Sequence, residues 1–342
     1  MKIRIFVGTG GVGKTSVTAA SALRTALDGE KCLVMTVDPA LRLKTALGMT
    51  GAALEQRVPL EPASTKGELW AALLDVPTTM DRLVRAHSGA AKAQTIIDHP
   101  VYKLLLTSLA GMNELVAVER INQAIADGFE NLFIDTAPSR HTFEFLDRPE
   151  FFVQLVSFPL VKLVGRTYAW WKKSPLSGPD SSDLYGRLQQ MLGATLVSQV
   201  LDFFAIFQPV AEAYALHSRQ TLKILRDSRT TSFTIVTTPA AAKHDSDYLF
   251  NELTKRNYFV EALIMNRLWP DLRLKATSGA SPAVRDLAGW YEGVYTAQLA
   301  IHDNVHAAWA GKGRRVIDLA ELSMDIDGIA GLARIAEQLK AA

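Results

Sequence analysis

The residues with the clearest chemistry stand at positions 8–15, where the chain reads Gly-Thr-Gly-Gly-Val-Gly-Lys-Thr. This run fits the pattern G-x-x-x-x-G-K-[ST], whose glycines let backbone N–H groups surround phosphate oxygens. Its lysine neutralises β- and γ-phosphates, and its last hydroxyl binds Mg²⁺. The sequence therefore predicts a nucleoside triphosphate site with Mg²⁺. The predicted binding residues are Gly8, Thr9, Gly10, Gly11, Val12, Gly13, Lys14, Thr15 and Ser16.

The elements on either side of this run have the form that the motif needs. Residues 3–7, Ile-Arg-Ile-Phe-Val, are a short β-prone apolar run, and residues 16–27 continue with apolar side chains at helical spacing. Strand, glycine turn and helix in this order place a helix N-terminus, with its partial positive charge, against the phosphates.

The rest of the chain alternates strand and helix patterns. Further short apolar runs are predicted to be strands at 31–37, 132–134, 232–237, 259–265 and 315–319. Strands that alternate with helices predict an α/β fold with a doubly wound, mainly parallel sheet covered on both faces. Residues 58–74 are expected to be extended and loop-like, because they include Pro59 and Pro62.

The domain organisation follows from where the strand signal stops. Between approximately 148 and 228 the apolar residues recur at helical spacing, so we predict a helical insertion there, with additional helices at approximately 78–127. We expect one P-loop ATPase domain over residues 1–342 to carry both helical parts.

Composition excludes several classes of protein. The chain has 37 basic and 35 acidic residues, which gives no electrostatic argument for nucleic acid as a partner. Cys32 is the one cysteine, so neither an intrachain disulfide nor a cysteine-pair zinc site can form. The seven residues before the glycine run leave no room for a signal peptide, and no apolar run reaches 18 residues. We therefore expect a soluble, cytoplasmic protein.

Two aspartates end predicted strands, where open α/β sheets place their ligands. Asp135 follows Leu-Phe-Ile and is the candidate for holding Mg²⁺, directly or through water. Asp38 is the candidate for orienting an attacking water or accepting its proton, and with Thr15 both aspartates are candidate metal residues. The alternative is that each carboxylate only caps the following element.

Several short segments together resemble one protein family. Asp38-Pro39-Ala40, the run 135–142 (Asp-Thr-Ala-Pro-Ser-Arg-His-Thr) and the run 111–114 (Gly-Met-Asn-Glu) keep the order seen in the arsenite-pump ATPase family, ArsA, and its relatives that target tail-anchored membrane proteins. Asn266 matches that family's adenine-reading asparagine. The resemblance covers about residues 3–270 and is greatest to short bacterial members with one ATPase unit.

This resemblance implies ATP and Mg²⁺ as cofactors and ATP hydrolysis as the activity. It makes Asp38 the water-activating residue, Asp135 the Mg²⁺-linked sensor and Asn266 the base reader. The segments near 38–45 and 135–142 would move when the γ-phosphate leaves. It also implies a dimer, either of two identical chains or with a paralogue.

The glycine run departs from the family at Thr9, where the family has a lysine that reaches the partner's nucleotide across a dimer. Arg42 and Arg140 stand in the two switch-like segments, and either is a candidate arginine finger. The alternative is that both arginines are exposed or far from the phosphates.

The helical insertion offers candidate partner surfaces. Residues 151–164 are apolar on nearly every side, residues 168–173 combine aromatic and basic side chains, and an apolar stripe runs over 184–207. These helices are predicted either to pack on each other and on a second subunit, to form a groove for a hydrophobic client or membrane-protein partner, or to contact a membrane surface.

Three functions remain open at this point: an ATPase whose nucleotide state moves the helical region, a nucleotide-binding switch that hydrolyses slowly or not at all, and a small-molecule kinase. His302 and His306, four residues apart, superficially resemble half of a zinc-protease motif without its glutamate. We interpret this pair as solvated helix residues and expect no zinc site.

Overall fold

A computed structural model describes residues 1–37, 42–49, 54–60, 66–108, 111–138, 143, 146–147, 194–272, 281–323, 326 and 328–341. Within these residues one sheet contains eight strands. The strands are β1 Lys2–Val7, β2 Lys31–Thr36, β3 Glu55–Val58, β4 Glu68–Leu73, β5 Asn131–Asp135, β6 Thr231–Thr237, β7 Val260–Leu268 and β8 Arg315–Ala320.

The sheet is mainly parallel and doubly wound. Its strand order is β3-β4-β2-β5-β1-β6-β7-β8, and every neighbouring pair is parallel except β3 with β4. The chain leaves β1 toward β2 and β5 on one side and later returns to β6 on the other. The strand order therefore reverses at β1, and in open α/β sheets ligands bind at such a switch point.

The helices of the described residues connect these strands or extend from them. They are α1 Lys14–Leu27, α2 Arg42–Ala46, α3 Val76–Ser88, α4 Ala90–Asp98, α5 Pro100–Ser108, α6 Met112–Ala126, α7 Ala194–Arg226, α8 Pro239–Lys255, α9 Pro282–Gly311 and α10 Gly328–Ala341. No single helix among them is long and apolar enough to cross a membrane, although α5 and α6 together pass the same test as a bent pair.

The predicted fold class is confirmed, and one local prediction is wrong. Residues 58–74 were expected to be loop-like, yet β4 occupies Glu68–Leu73 and pairs with β2 along its whole length. Pro59 comes directly after β3, so it interrupts no ladder and is a poor guide to the residues that follow. The partner-surface segments 151–164 and 168–173, and the first part of the stripe 184–207, lie outside the described residues.

The chain divides into two compact units. The first comprises Met1–Leu73, Ala124–Phe143 and Ile224–Ala342, and the second comprises Leu74–Gln123 and Glu144–Lys223. The whole sheet belongs to the first unit. The second unit has its own apolar core, in which Phe203 and Tyr102 are almost fully buried. The predicted boundaries of a single domain with a helical insertion stay a prediction.

The central strands are buried because helices can cover both faces of a parallel sheet. Every residue of β5 is buried, and so are the last three of β1. An apolar run without alternation is typical of this position.

Helix α1 lies close to the rest of the first unit because one side of it carries small side chains. Ala19, Ala22 and Ala26 are fully buried. At the end of α1 the chain around Gly67 approaches so closely that a Cβ there would lie 2.0 Å from the carbonyl oxygen of Ala26. Only glycine fits at this position.

This close approach predicts opposite effects for two glycine-to-alanine substitutions. Gly67→Ala should lower the Tm by about 4–8 °C, because the overlap with backbone atoms costs about 2 kcal/mol or more. Gly289→Ala lies inside α9 with no atom of the described residues within 4 Å of the new Cβ. It should raise the Tm by about 1–4 °C through better helix propensity. Circular dichroism melts of the two variants and the wild type measure this, and a stable Gly67→Ala protein would contradict the packing.

Candidate nucleotide site

The glycine loop between β1 and α1 has the backbone shape that phosphate binding needs. Gly11 and Gly13 have φ angles of 81° and 88°, a region that side chains disfavour. Gly13 is the N-cap residue of α1 and has no side chain to occupy the first-turn N–H groups of that helix. The loop therefore presents amide hydrogens and the positive end of the helix dipole to an external anion.

Two of the loop glycines are also required by close contacts with neighbouring strands. A Cβ on Gly8 would lie 2.2 Å from the carbonyl oxygen of Val236, at the end of β6. A Cβ on Gly13 would lie 2.4 Å from Nδ2 of Asn266, in β7. The ends of β6 and β7 therefore leave room only for glycine at these two positions of the loop.

Lys14 is folded onto the loop that it belongs to. Its side chain is 7% exposed, and its Nζ donates a hydrogen bond to the carbonyl oxygen of Thr9 at 3.0 Å. Thr9 itself is half-buried. A lysine held in this way needs only side-chain rotation to exchange a backbone oxygen for a phosphate oxygen.

Asp135 joins the loop to the sheet. Its Oδ2 accepts a hydrogen bond from Thr15 Oγ1 at 2.7 Å and another from Thr36 Oγ1 at 3.2 Å. The carboxylate is 1% exposed and ends β5, where Thr36 is its register partner in β2. Three elements, β2, β5 and α1, therefore meet at one buried carboxylate. We call Thr15, Thr36 and Asp135 the carboxylate cluster.

The backbone next to the carboxylate cluster is held by further hydrogen bonds. Thr136 Oγ1 donates to the carbonyl oxygen of Phe6 at 2.8 Å, and the Val37 amide donates to the carbonyl oxygen of Asp135 at 2.9 Å. These bonds fix how the chain leaves β5 and β2.

The donor set of the carboxylate cluster fits Mg²⁺, which prefers oxygen ligands. Because the Thr15 hydroxyl directs its hydrogen to Asp135, its oxygen lone pairs can face a cation. Asp135 would then hold the threonine and a metal-bound water rather than the ion itself. Of the predicted metal residues, the structure brings Thr15 and Asp135 together.

Asn266 supports the loop from the other side. Its Nδ2 donates to the carbonyl oxygen of Val12 at 2.9 Å, and its side chain is 7% exposed. The next residue, Arg267, has a φ angle of 60° at a point where the β7–β8 register shifts. An irregularity of this kind bends a strand locally. The predicted role of Asn266 in reading adenine stays a prediction.

A cavity of about 740 Å³ opens beside the loop, within the size range of small-molecule sites. Its lining combines apolar side chains with the amides of Asn266 and Gln338 and with the charged side chains Arg267 and Glu321. The Gln338 side chain shapes its wall by accepting from the Ala320 amide at 2.7 Å. The lining residues are Gly13, Ser16, Asn266, Arg267, Leu319, Ala320, Glu321, Leu322, Ser323, Ile326, Ile335 and Gln338.

Sequence reasoning identified the loop side of this cavity and missed the opposite wall. That wall follows β8, a strand that was predicted, and the carboxyl end of a strand beside β7 is where such a sheet places ligand contacts. The position of β8 beside β7 was therefore the signal from which this wall could have been predicted. Residues 38–41 and 139–142, including Asp38 and Arg140, lie outside the described part of the chain, and so does the side chain of Arg42, the first residue of α2.

Comparison with known proteins identifies the family. A family model described as "Anion-transporting ATPase" matches residues 1–280 of the 342-residue chain, so the chain belongs to this family. The resemblance inferred from the motifs is thereby confirmed, and the predicted enzyme class, an ATPase, is that of the family.

The sequence identity to individual relatives is low, at 25–32%. The chain is 28% identical over 299 residues to "ATPase ARSA1" of Chlamydomonas reinhardtii, covering 78% of this chain and 34% of that protein. It is 32% identical over 155 residues to a "Putative arsenical pump-driving ATPase" of Prosthecochloris vibrioformis, covering 44% and 36%. It is 25% identical over 289 residues to "ATPase GET3C" of Arabidopsis thaliana, covering 79% and 67%. The chain therefore spans about a third of the length of the first two relatives.

The carboxylate cluster predicts a specific effect of Asp135→Asn. The substitution keeps the shape of the side chain and removes its charge, so binding of Mg·ATP should weaken about 10- to 100-fold, the equivalent of one charge-assisted hydrogen bond. Binding of ATP in EDTA should change much less. Titration calorimetry with and without Mg²⁺ measures both, and Asp28→Asn, at an exposed carboxylate, is the control. An equal loss with and without Mg²⁺ would contradict the assigned role.

The contact between Asn266 and Val12 predicts a difference between two substitutions at position 266. Asn266→Ala removes one buried hydrogen bond and should cost about 1–2 kcal/mol of stability. Asn266→Asp places an acceptor against the Val12 carbonyl oxygen, so it should be more destabilising at neutral pH and recover as the carboxyl is protonated. Urea unfolding at two pH values measures this; indistinguishable variants would show that the hydrogen bond is unimportant.

Proposed function

We propose that the protein is a Mg²⁺-dependent ATP-hydrolysing switch of the anion-transporting ATPase family. The observation that carries this proposal is the carboxylate cluster, which joins the phosphate loop to two strand ends through one buried carboxylate. Such a link can report the state of the γ-phosphate to the segments that follow β2 and β5.

Each part of the loop has a task in binding. The backbone N–H groups around Gly11 and Gly13 bind phosphate oxygens, and Lys14 exchanges the Thr9 carbonyl for the β- and γ-phosphates. The cavity beside Asn266 accepts the base and ribose. Bound Mg²⁺ would neutralise charge on the β- and γ-phosphates, with Thr15 as ligand and Asp135 behind it.

Hydrolysis needs a water in line with the γ-phosphate. In our proposal Asp38 orients that water and accepts its proton while the water oxygen attacks phosphorus. The bond from the γ-phosphorus to the bridging oxygen breaks, which leaves ADP and inorganic phosphate. Loss of the γ-phosphate then releases the segments near 38–45 and 135–142, which moves the helical part of the chain.

The mechanism also needs a cation that stabilises the charge of the transition state. At the position where the family has a lysine, this chain has Thr9, whose hydroxyl carries no charge. The backbone carbonyl oxygen of Thr9 accepts a hydrogen bond from Lys14. We propose that Arg42 or Arg140 supplies the missing charge, within one chain or across a dimer, since such a group contributes about 10³–10⁵ in rate. Because Thr9 is uncharged, a second function is a nucleotide-binding switch that hydrolyses slowly until a partner supplies the cation.

The proposed partners are a second copy of the chain or a paralogue, and a hydrophobic client or membrane protein. Phe204 and Leu104 of the second unit are 44% and 60% exposed, and an apolar partner would bury such side chains favourably. A thiolate-bound arsenite is not part of the proposal. Cys32 is fully buried, and burial raises the pKa of its thiol to about 12. A cytoplasmic location stays a prediction.

The test is phosphate release from Mg·ATP by purified protein, with mass measured with and without nucleotide. Lys14→Ala and Asp38→Asn should each lower the rate by about 100-fold or more, because Lys14 acts on the transferred phosphate and Asp38 on the attacking water. Lys92→Ala, at an exposed lysine of α4, should leave it unchanged. Arg42→Ala and Arg140→Ala complete the series.

The outcomes separate the proposed functions. If neither arginine variant slows turnover, the arginine-finger hypothesis is wrong. If the wild type binds ATP and dimerises but releases no phosphate, the protein is the slow switch rather than an ATPase by itself. Transfer of phosphate to an added small-molecule acceptor would support the kinase alternative.

A further inference from the structure

A second cluster of polar side chains lies on α9 and β8, away from the carboxylate cluster. His302 and His306 are one helical turn apart on α9, with ring centroids separated by 4.1 Å. Both rings face Asp318 of β8: Nε2 of His302 lies 2.8 Å from Oδ2, and Nε2 of His306 lies 3.1 Å from both carboxylate oxygens. The structure thus gives the two histidines a shared partner, which corrects their interpretation as solvated helix residues.

The spacing of these atoms is close to that of a metal's ligand shell. One ligand atom from each of the three residues lies within 4.8 Å of the other two. Tetrahedral zinc with bonds of about 2.0–2.1 Å separates its ligand atoms by about 3.3 Å. The present nitrogen–oxygen distances of 2.8 and 3.1 Å would need to widen by a few tenths of an ångström. Small rotations of these partly exposed side chains would supply such a change.

Asp303 contacts one of the imidazoles on the side away from Asp318. Its Oδ1 lies 3.0 Å from Nδ1 of His302, the nitrogen on the far side of the ring from Asp318. Both ring nitrogens of His302 face carboxylate oxygens, so each donates a hydrogen bond in the metal-free protein. On metal binding the Nε2 proton would leave to solvent, while Asp303 would keep the proton on Nδ1. Metal-ligating histidines commonly have such an outer partner.

We propose that His302, His306 and Asp318 form a binding site for a divalent transition metal such as Zn²⁺. Two imidazoles and one carboxylate favour Zn²⁺, Co²⁺ or Ni²⁺ over Mg²⁺, which prefers oxygen ligands. The His302 and His306 side chains are 23% and 36% exposed, so a water or an external ligand can complete the coordination. The site is separate from the nucleotide-bound Mg²⁺ and does not depend on ATP hydrolysis.

The location of the site gives the metal a structural consequence. A bound ion would tie α9 to β8, and Asp318 stands two residues before Ala320, which lines the nucleotide cavity. Because the ion binds the folded state, it should raise the Tm in a concentration-dependent way. It should also restrain the wall of the cavity that follows β8.

The test is binding of Co²⁺ and Zn²⁺ to the full chain without nucleotide, in millimolar Mg²⁺ to occupy the carboxylate cluster. Equilibrium dialysis should give one Zn²⁺ per chain, and Co²⁺ should give the visible absorption of a four- or five-coordinate site. His302→Gln and His306→Gln should each weaken binding at least 100-fold, and Asp303→Asn about 10-fold. His87→Gln, at an exposed histidine of the second unit, is the matched control and should bind like the wild type.

Several results would overturn the proposal. The first is that the wild type retains no Zn²⁺ at micromolar concentration. The second is an octahedral Co²⁺ spectrum that survives both histidine substitutions, and the third is an equal loss of metal affinity in His87→Gln and His302→Gln. Asp318→Asn is a third ligand variant, and circular dichroism of each variant separates loss of ligand from loss of fold. If the wild type binds no metal while His302→Gln lowers its Tm, the cluster is only a hydrogen-bonded contact between α9 and β8.

Discussion

The structure of the site depends on one buried carboxylate. Asp135 accepts hydrogen bonds from Thr15 of α1 and Thr36 of β2 while it ends β5, so the phosphate loop cannot shift without disturbing two strands. A carboxylate that is 1% exposed is costly unless such donors surround it. The same arrangement suits a switch. A cation at Thr15 would change the charge that Asp135 faces, and the effect would reach the residues after β2 and β5.

On its other sides the loop is positioned by close contacts at two glycines, where no side chain would fit. Gly8 lies against the Val236 carbonyl, and Gly13 lies against the Asn266 amide, which in turn holds the Val12 carbonyl. The loop is therefore fixed by β6 and β7 through backbone and amide groups, whereas β2 and β5 hold it through hydroxyl and carboxylate groups. Rigid support of this kind would preorganise the N–H groups for the phosphate that our proposal places there, and so reduce the entropy lost on binding.

Much of this could be predicted because the information is local in sequence. The glycine run, the apolar run before Asp135 and the strand before Asn266 are short patterns, and each lies where it was expected. The antiparallel β3–β4 pair was missed because prolines near 59–62 suggested a loop. Asp318 and the cavity wall were missed for another reason. Their roles depend on which strands are neighbours, and strand order is set by packing over hundreds of residues rather than by any local pattern.

The nucleotide loop and most of the cavity wall lie in different parts of the chain. Residues 1–280, which match the family model, contain the loop, the carboxylate cluster and Asn266, and with them every residue to which our proposal gives a role at the phosphates. Most of the cavity wall and the whole His302–His306–Asp318 cluster lie after residue 280. Phosphate chemistry demands fixed distances and tolerates little change, whereas a base-binding wall needs only shape and a few amides. In our proposal the residues that match the family model therefore act on the phosphates, while residues after 280 supply most of the wall that accepts the base and ribose.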